Sequence, residues 1–504
     1  MPTHSHHHNS YHGHHHSSHH KHHKSSRQRS RFADLKIVNA ALLVLYSVLA
    51  GLATYMMYAH HILAFRHLNV VYSIILVAIF ALCLTLSILK KNRVLTTVLL
   101  IVFSIIAAVS LFAFKSLVDV AHNMNETASY SEIEMSVVVP SNSSVNDVSD
   151  LTSVQAPTDA DGSNINELLS HIKSEKGVDL ATEKVDSYQA AYENLVNGSS
   201  QAMVFNSAYS SLLEMSYENF QSNLKTIYSY KIKTSIKDEA KAHDSNVFNI
   251  YISGIDTYGS ISTVSRSDVN LILTVNMNTH KILMTETPRD AYVKIPDGGA
   301  DQYDKLTHAG IYGVETSEKT LENLYGITID YYARLNFDSF LKLIDALGGV
   351  TVYNDQAFTS LHGNYDFPVG NVTLDSDKAL GFVRERYSLE HGDYDRGNNQ
   401  MKVIQAILNK MTSLKSVSNY STIISNVQDS IQTDMKLDTV MKLVNSQLDS
   451  GEKFTVTSQE VTGTGSTGEL TSYAMPSSSL YMIKLDDASV AKASQAIKDV
   501  MEGK

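Results

Sequence analysis

The stretch on which the fold of this chain depends is SRSDVNLILTVNMNTHKILMTETPRD, residues 265–290. Its two apolar runs, Val269–Val275 and His280–Thr287, flank the short polar connection NMNT. Two runs of this length and composition, separated by a few turn residues, are typical of a β-hairpin. The charged groups of SRSD and TPRD lie just outside the two runs. The sequence therefore predicts that both sets meet at one edge of a sheet, where ligands commonly bind.

Helices and strands alternate on both sides of this hairpin. The apolar segment VFNIYIS predicts a strand before it, and VTVYN predicts another after it. Helical periodicity is found at Ser317–Tyr325, Asp338–Leu347, Ser376–Val383, Arg396–Met411 and Asp487–Met501. Alternation of this kind is typical of an α/β/α sandwich. We therefore assign residues 243–504 to an α/β domain of this class.

A smaller α/β domain is predicted ahead of the sandwich, at residues 115–242. VDSYQAAYENLVNG predicts a helix that ends at Gly198, and QAMVF predicts a buried strand. A second helix, SAYSSLLEMSYENFQSNLKTI, is expected to begin with Ser207 as its N-cap. Residues 118–140 show little periodicity, and part of the stretch that follows, SNSSVNDVSDLTSVQAPTDADGSN, is expected to be loop because it is rich in Ser, Asn, Asp and Thr. The tyrosines of this accessory domain fall at helical spacing, which favours packing in a core over binding of a glycan.

Three uncharged apolar runs lie near the N-terminus. They are Ile37–Tyr58, Leu68–Leu89 and Val94–Phe114, and each holds 21 or 22 residues. At about 1.5 Å of rise per residue, each run is long enough to cross a hydrocarbon core of roughly 30 Å. A cleaved signal peptide has a single, shorter apolar stretch. Residues 35–114 are therefore predicted to form three transmembrane helices.

Basic residues set the expected orientation of these helices. They cluster before the first run and after the second: Lys21, Lys24, Arg27, Arg29 and Arg31, then Lys90, Lys91 and Arg93. The loop between the first two runs carries only Arg66. Positive residues favour the cytoplasmic side. We therefore expect a multi-pass protein of the cell membrane, with a cytoplasmic N-terminus and with everything after Phe114 outside the cell.

Composition narrows the class of protein further. The tail of residues 1–34 alternates histidine with Ser, Lys and Arg and is expected to be disordered. The formal net charge of −11 argues against a nucleic-acid-binding protein, because such domains carry a basic excess. The single cysteine, Cys83, lies inside the second apolar run, so no intramolecular disulfide is expected.

Arginines and aspartates recur at the ends of the predicted elements between residues 256 and 400. The arginines are Arg266, Arg289, Arg384, Arg386 and Arg396, and Asp256 and Asp268 accompany them. A guanidinium group matches the oxygens of a phosphate in a bidentate way. An aspartate pair among arginines is best explained by a bound divalent cation. The pattern therefore predicts one pocket for a phosphate-rich ligand and a metal ion.

These polar segments also resemble a known family. The string RERYSLEHGDYDRGNNQ, residues 384–400, with SGIDTYG, SRSD and TPRD, is similar to the LytR-CpsA-Psr family, and the resemblance covers essentially the whole chain. It implies a transferase that moves capsular polysaccharide from a polyprenyl (undecaprenyl) pyrophosphate carrier to peptidoglycan through a phosphodiester bond. It also implies that Asp256 and Asp268 hold Mg²⁺ or Mn²⁺, and that the five arginines clamp the pyrophosphate with support from Gln400.

Arg266 and Arg289 are expected to act in catalysis as well as in binding, because charge builds up on the departing phosphate and fixed cations neutralise it. The acceptor hydroxyl needs a base within hydrogen-bond reach, and Asp393 and Asp290 are both candidates. The choice between them stays open. A structural pairing with Arg289 is favoured for Asp290, which leaves Asp393 as the catalytic candidate.

A polyprenyl carrier also needs an apolar site for its chain. The candidate lipid-binding positions are Leu321, Leu324, Phe340, Leu341, Ile344 and Leu347. They would line a hydrophobic tunnel through the sandwich. Ordinary core packing explains the same spacing, so the periodicity leaves both interpretations open.

Two other functions use the same residues. A regulator or sensor of capsule synthesis would bind the lipid-linked polysaccharide and report occupancy through the membrane helices. A polyprenyl pyrophosphate hydrolase would use water in place of the acceptor. The expected partners are the polyprenyl-pyrophosphate-linked polysaccharide, the peptidoglycan acceptor and membrane lipid, and a contact with capsule assembly enzymes is left open. No helix-turn-helix pattern is found, so no nucleic-acid partner is expected.

Overall fold

The structure is a computed structural model that describes residues 22–236, 246–255, 261–412, 423, 425–427, 431–452 and 454–504, with the backbone alone at 22–34 and 412. The chain separates into two compact units, residues 1–116 and 117–504. The boundary predicted at residue 242 and the candidate metal ligand Asp256 lie outside the described residues.

The first unit consists of apolar helices. They are α1 (His22–Ala59), α2 (Leu68–Ile88) and α3 (Arg93–Ala128), and the boundary between the units falls inside α3. Three segments are long and apolar enough to cross a membrane: Leu35–Ala59, Phe65–Ile88 and Arg93–Ala128. The three helices expected from the apolar runs are therefore confirmed, and they anchor the protein in a membrane.

The first helix begins earlier than the sequence indicated. The tail predicted to be disordered ends at residue 34, yet the backbone is helical from His22 onward. A helix that is already nucleated by an apolar run gains one hydrogen bond for each residue added, and Lys, Arg and Gln have favourable helix propensities. The apolar run of α1 therefore extends into its polar flank.

Polar side chains join the helices of the first unit. Asn39 Nδ2 donates to the Arg93 carbonyl at 3.0 Å, and Thr97 Oγ1 donates to Asn39 Oδ1 at 2.6 Å. Tyr46 Oη donates to the Leu76 carbonyl at 2.7 Å. Because aliphatic packing alone selects no particular neighbour in lipid, such bonds help to fix which helices pair.

The second unit begins with a five-stranded sheet in the order β3-β2-β4-β1-β5, which is the accessory α/β domain expected from the sequence. Its strands are β1 (Tyr130–Pro140), β2 (Ser153–Ala156), β3 (Ala181–Lys184), β4 (Met203–Asn206) and β5 (Leu224–Ser235). Its helices are α4 (Thr158–Lys176), α5 (Tyr188–Val196) and α6 (Ser210–Ser216). Val137 and Val204 of the sheet pack with Ile165 and Leu168 of α4 in an apolar core.

One local prediction in this domain was wrong. The helix expected from Ser207 ends with α6, and the later part of that segment opens β5, which is antiparallel to the whole of β1. Residues 118–140, which showed little periodicity, form the end of α3 and then β1. The two strands pair across about a hundred residues of chain, and such tertiary pairing overrides local periodicity.

The remaining strands and helices build the sandwich. The strands are β6 (Val247–Ile255), β7 (Ser267–Asn276), β8 (Lys281–Glu286), β9 (Tyr292–Ile295), β10 (Gln302–Lys305), β11 (Tyr331–Leu335), β12 (Val350–Asn354), β13 (Phe358–Thr359), β14 (Asp366–Phe367), β15 (Gly370–Leu374), β16 (Ile431–Thr433), β17 (Thr455–Glu460), β18 (Gly463–Thr467) and β19 (Tyr481–Leu485). The helices are α7 (Leu306–Ala309), α8 (Val314–Tyr325), α9 (Phe337–Ala346), α10 (Ser376–Arg384), α11 (Asp393–Thr412), α12 (Leu437–Ser450) and α13 (Asp487–Met501).

Strands β7 and β8 form the predicted hairpin at the centre of a six-stranded mixed sheet, β16-β11-β6-β7-β8-β17. Ile272 of β7 packs against Leu321 of α8 and Ile497 of α13 on one face. The next residue, Leu273, packs against Met401 of α11 on the other face. Successive residues of a strand point to opposite faces, so the alternation places helices on both sides. The α/β/α sandwich is confirmed.

The accessory domain packs firmly against the sandwich within the second unit. Tyr188 and Tyr209 are buried in a cluster that also contains Ile311 and Met475 of the sandwich, so these tyrosines are core residues as favoured from their spacing. Gln189 Nε2 donates to Ser478 Oγ at 2.8 Å across the same contact. The two domains are therefore joined through shared apolar core.

We expect Gly310→Ala to destabilise the second unit. A Cβ on Gly310 would lie 2.6 Å from the Ser265 carbonyl oxygen and 2.7 Å from the Ser267 amide, which are backbone atoms on either side of Arg266. Overpacking of this kind costs about 1–3 kcal/mol of unfolding free energy. Thermal unfolding of the detergent-solubilised chain checks it. Gly162→Ala is the matched control, because a Cβ there meets nothing within 4 Å. Equal midpoints for both variants would contradict the prediction.

Candidate functional site

A cavity of about 430 Å³ lies between the central sheet and helices α9, α10 and α11. The five arginines singled out from the sequence all line it, as do Asp268 and Gln400: Arg266, Arg289, Arg384, Arg386 and Arg396. The structure therefore brings together charged groups that are up to 130 positions apart in the chain. Asp256, the other candidate metal ligand, lies outside the described residues.

Each of these arginines is placed by the end of an element. Arg266 precedes β7 and Arg289 follows β8, so the hairpin carries both to the same edge of the sheet. Arg384 is the last residue of α10, and Arg396 lies in the first turn of α11. The free amides of that first turn add a positive potential. The arrangement is thus built for an anion.

Asp268 is held among these cations. Its Oδ2 lies 2.6 Å from Arg289 Nη1, and its Oδ1 accepts a hydrogen bond from Thr307 Oγ1 at 3.1 Å. Burial acts to raise the pKa of the Asp268 carboxyl, but Arg289 and Arg266 outweigh it and hold that pKa below its usual value. Asp268 is therefore ionised at neutral pH.

An ionised carboxylate in a cavity lined by arginines is a candidate ligand for Mg²⁺. This ion is usually held by one or two carboxylates together with phosphate oxygens and water. Among the described residues, no group of three His, Cys, Asp or Glu side chains is arranged to hold a metal by itself. Asp268 would therefore hold a cation only together with the oxygens of a bound phosphate.

Asp290 is a buried centre of ion pairs. Its carboxylate contacts Lys305, lies 3.5 Å from Arg289 Nε and lies 3.8 Å from Arg386 Nη2. Burial acts to raise the pKa of Asp290, but Lys305 and Arg289 lower it below the usual value. Because its charge is shared among three cations, Asp290 is better suited to fixing them than to accepting a proton. Lys305 was missed from the sequence, where the segment DKLTHAG carries no phosphate-binding signature.

Asp393 has a different environment. It contacts Arg396 in the first turn of α11, and burial raises the pKa of its carboxyl. Glu286, at the end of β8, lies close by in a space left by Gly397, where a Cβ would be 2.9 Å from Glu286 Oε1. Burial, Asp393 and Glu460 raise the pKa of Glu286 to about 8. The sequence analysis did not single out Glu286, although the glycine in DRGNNQ was a signal for close approach.

The other part of the cavity is apolar. Its walls are Ile252, Leu273, Leu335, Phe337, Phe340, Leu343, Leu380, Val383, Ile404, Ile407 and Leu408. Gln400 Nε2 donates to the Val383 carbonyl at 3.2 Å and so joins α11 to α10 at the boundary between the two parts. An elongated ligand with an apolar end and an anionic end would match this division.

The structure does not bring the six predicted tunnel residues together, so the predicted lipid-binding set is corrected: only Phe340 of the six lines the cavity. Phe340 lines the cavity, whereas Ile344 and Leu347 are buried behind it in the core around α9, α10 and α11. Leu341 is half-buried and does not line the cavity. Leu321 and Leu324 belong to the core on the opposite face of the sheet, because α8 packs there with α13.

The accessory domain also contributes to the cavity. Met215, near the end of α6, lines it, and 51% of this side chain is exposed. Arg266 Nη1 donates to Met215 Sδ at 3.0 Å. Met215 therefore orients an arginine of the other domain. Its position in a helical pattern gave no signal of this contact.

The sequence model of the LytR_cpsA_psr family matches residues 209–488, which is more than half of the chain. The chain belongs to the LytR-CpsA-Psr family. A second family model, that of the DNA polymerase processivity factor, matches residues 90–205. This segment is less than a quarter of the chain and begins next to the apolar helix α3, so it assigns no family.

Relatives of this LytR-CpsA-Psr protein carry the name polyisoprenyl-teichoic acid–peptidoglycan teichoic acid transferase TagU. The protein of Oceanobacillus iheyensis is 36% identical over 231 residues, which cover 44% of this chain and 69% of the relative. The protein of Enterococcus faecalis is 32% identical over 277 residues, which cover 54% of this chain and 86% of the relative.

Solved structures are similar as well. The crystal structure of B. subtilis TagU is 27% identical, with a TM-score of 0.40 over 52% of this chain and 99% of that chain. Protein gbs0355 from Streptococcus agalactiae is 27% identical, with a TM-score of 0.45 over 51% of this chain and 89% of that chain.

We expect Glu286→Gln to change the pH dependence of stability. The folded-state pKa of about 8 lies above the ordinary value of 4.5, so between these pH values the folded protein holds a proton that the unfolded chain releases. The unfolding free energy therefore falls as pH rises through this window, by roughly 1.4 kcal/mol per unit at most. Glutamine removes this loss. In denaturant titrations the stability gained by the variant should grow from pH 5 to pH 8.

The exposed Glu218→Gln is the control for that experiment, and its unfolding profile should parallel that of the original chain. Parallel profiles for Glu286→Gln as well would show that the buried carboxyl is not protonated in the folded state.

We expect Met215→Ala to weaken anion binding by about twofold to fivefold, because a hydrogen bond contributes roughly 0.5–1.5 kcal/mol and thioether sulfur is a weak acceptor. Met215→Leu keeps the apolar volume but lacks the sulfur, and should show the same loss. Titration with inorganic pyrophosphate measures both. Val196→Ala removes an exposed apolar side chain elsewhere on the accessory domain and should change nothing. Unchanged affinity in both Met215 variants would contradict a role in orienting Arg266.

Proposed function

We propose that this chain is a membrane-anchored transferase that moves a capsular polysaccharide from a polyprenyl pyrophosphate carrier to peptidoglycan, forming a phosphodiester bond. The observation that carries the proposal is the division of one cavity into apolar walls and a cluster of five arginines. A polyprenyl pyrophosphate likewise consists of an apolar chain and an anionic pyrophosphate. The names of the relatives, which specify a polyisoprenyl-linked teichoic acid and peptidoglycan, support the transferase class, and the capsular polymer is the finer part of the proposal.

The ligand is oriented by this division. The prenyl chain lies between α9, α10 and α11, where burial of each CH₂ group contributes about 0.8 kcal/mol. The two phosphates lie among the guanidinium groups, which bind phosphate oxygens in a bidentate way. Mg²⁺ bound at Asp268 supplies further neutralisation of phosphoryl charge.

The chemical step is an exchange at one phosphorus. The acceptor hydroxyl oxygen forms a bond to the phosphorus that carries the polysaccharide, and the bond from this phosphorus to the bridging oxygen breaks. Polyprenyl monophosphate leaves with the electron pair of the broken bond, and Arg266 and Arg289 stabilise its growing charge. Asp393 receives the hydroxyl proton, because its raised pKa suits it to accept one whereas Asp290 stays ionised among cations.

The location of this chemistry follows from the membrane helices. We place the N-terminus in the cytoplasm and residues 117–504 outside the cell, since the basic residues lie before the first span and after the second. The proposed reaction is therefore assigned to the outer side of the membrane.

Two other functions remain as alternatives for the same cavity. A hydrolase would release polyprenyl phosphate without forming a conjugate, and a regulator or sensor would bind the lipid-linked polymer without turnover. The presence of a candidate base, Asp393, beside the anion-binding arginines favours turnover over sensing.

We expect Arg386→Ala to lower kcat/KM by about a hundredfold or more, in line with the loss of one group that stabilises developing charge. The assay joins a polyprenyl-pyrophosphate-linked oligosaccharide to peptidoglycan fragments with Mg²⁺ and the detergent-solubilised full chain. Arg386 is 31% exposed, and Lys305 and Arg289 still pair with Asp290 in the variant, so its removal should leave the fold intact. A second variant, Asp268→Ala, should raise the Mg²⁺ concentration that is needed for the half-maximal rate.

Lys319→Ala serves as the control, because Lys319 is an exposed cation that pairs with Asp297 on the surface. The transferase is supported if the original chain and Lys319→Ala both form the conjugate and Arg386→Ala does not. Release of polyprenyl phosphate with no conjugate would point to the hydrolase, and tight binding without turnover would point to the sensor. Full activity in Arg386→Ala would remove the proposed site.

A further inference from the structure

The cavity has a direction that two neighbouring arginines define. Arg384 Cζ lies 4.3 Å from the centre of the Phe337 ring, which belongs to the apolar walls. Arg386 instead lies next to Asp290, at 3.8 Å, in the charged part of the site. A polyprenyl pyrophosphate carries its chain on one phosphate and its sugar on the other. A chain held by the apolar walls therefore leaves the sugar on the Arg386 side.

An aromatic residue stands on that side. The centre of the Tyr481 ring lies 5.8 Å from Arg386 Cζ. Tyr481 opens strand β19 and is only partly buried. It belongs to a segment that the sequence analysis did not connect with the site.

The hairpin β18–β19 holds this ring in place. A Cβ on Gly465 would overlap the Tyr481 hydroxyl, so the Tyr481 ring lies across this strand position. The Ile483 amide donates to the Asp290 carbonyl at 2.8 Å, and the Gly463 amide donates to Tyr394 Oη at 3.0 Å. These bonds fix the hairpin to both segments that carry the acidic residues of the site, because Tyr394 follows Asp393 directly.

We infer that Tyr481 and Asp393 form a subsite for a sugar ring beside the cavity, next to Arg386, with Tyr481 as a specificity-determining residue. The inference rests on the proposed function. Pyranose rings present C–H groups that pack on an aromatic face and hydroxyl groups that donate to carboxylates, and binding pockets combine aromatic surface with a few placed polar groups in this way. Tyr481 supplies the aromatic surface and Asp393 the acceptor.

The hydroxyl of Tyr481 adds a donor to this subsite. Burial, with the nearby Asp290 and Asp393 carboxylates, raises the pKa of Tyr481. The phenol therefore stays protonated across the physiological range and donates a hydrogen bond to a sugar oxygen.

Two sugars have the chemistry that this subsite would recognise. One is the first sugar of the polymer on the lipid carrier, and the other is the peptidoglycan sugar whose hydroxyl attacks. The experiment uses three probes on the full chain in detergent: polyprenyl pyrophosphate without sugar, the same lipid carrying an oligosaccharide, and a peptidoglycan disaccharide fragment titrated in the presence of the sugar-free lipid.

Tyr481→Ala should weaken binding of one sugar-bearing probe about tenfold while leaving the dissociation constant of the sugar-free lipid unchanged. A loss confined to the oligosaccharide lipid assigns the subsite to the polymer, and a loss confined to the disaccharide assigns it to the acceptor. Tyr481→Phe keeps the ring and should lose about threefold, since it lacks only the hydroxyl bond. Tyr353→Ala, which removes an exposed tyrosine from β12, is the control and should change none of the three constants.

The inference is overturned if Tyr481→Ala and Tyr481→Phe bind all three probes as the original chain does, or if every probe is weakened equally. The binding titrations need no turnover, so they separate this result from a failure of the proposed function. Transfer that is absent from the original chain, with the sugar-selective loss still present in the variants, would remove the transferase and leave the sugar subsite standing.

Discussion

The buried carboxylate of Asp290 is the constraint on which the site depends. It is fully buried, and it contacts Lys305, Arg289 and Arg386 together. Several cations crowded into one cavity repel each other, and only a fixed opposite charge lets them converge before a ligand arrives. Removing one partner of a buried ion pair typically costs about 3–5 kcal/mol, because the other charge is left uncompensated. Asp290 therefore preorganises Lys305, Arg289 and Arg386 and stabilises the fold around them.

The hairpin β7–β8 sets the position of this network. It lies in the middle of the central sheet, so its ends are held by neighbours on both sides and by helices on both faces. Three further segments close the site around it: the start of α11 with Asp393, the end of α6 with Met215, and the hairpin β18–β19 with Tyr481. The accessory domain shares core with the sandwich, and this contact places Met215 at the cavity.

Local patterns predicted much of the fold and part of the site. The hairpin, helix α13 and each arginine of the site could be predicted from short segments of sequence. Turn residues, helical periodicity and the chemistry of guanidinium groups can be recognised without knowing which distant residues are in contact. The predictions failed where a distant partner decided the outcome. Strand β5 exists because β1 pairs with it, and Leu321 lies in the opposite core because α8 packs with α13. Lys305 and Glu286 were missed for the same reason, because each is placed by burial rather than by a motif.

The sequence by itself determined three membrane helices, an α/β chain beyond them and a set of cations suited to phosphate, because apolar length, alternation and charge are properties of neighbouring residues. Only the tertiary structure decided which of these cations share a cavity, which apolar side chains wall it, and in which direction the pKa of each buried carboxyl is shifted. Those outcomes depend on contacts between residues far apart in the chain. Asp290 and Asp393 are the same type of residue, but their surroundings shift their pKa values in opposite directions. Neighbouring cations lower the pKa of Asp290, and burial in the first turn of α11 raises that of Asp393.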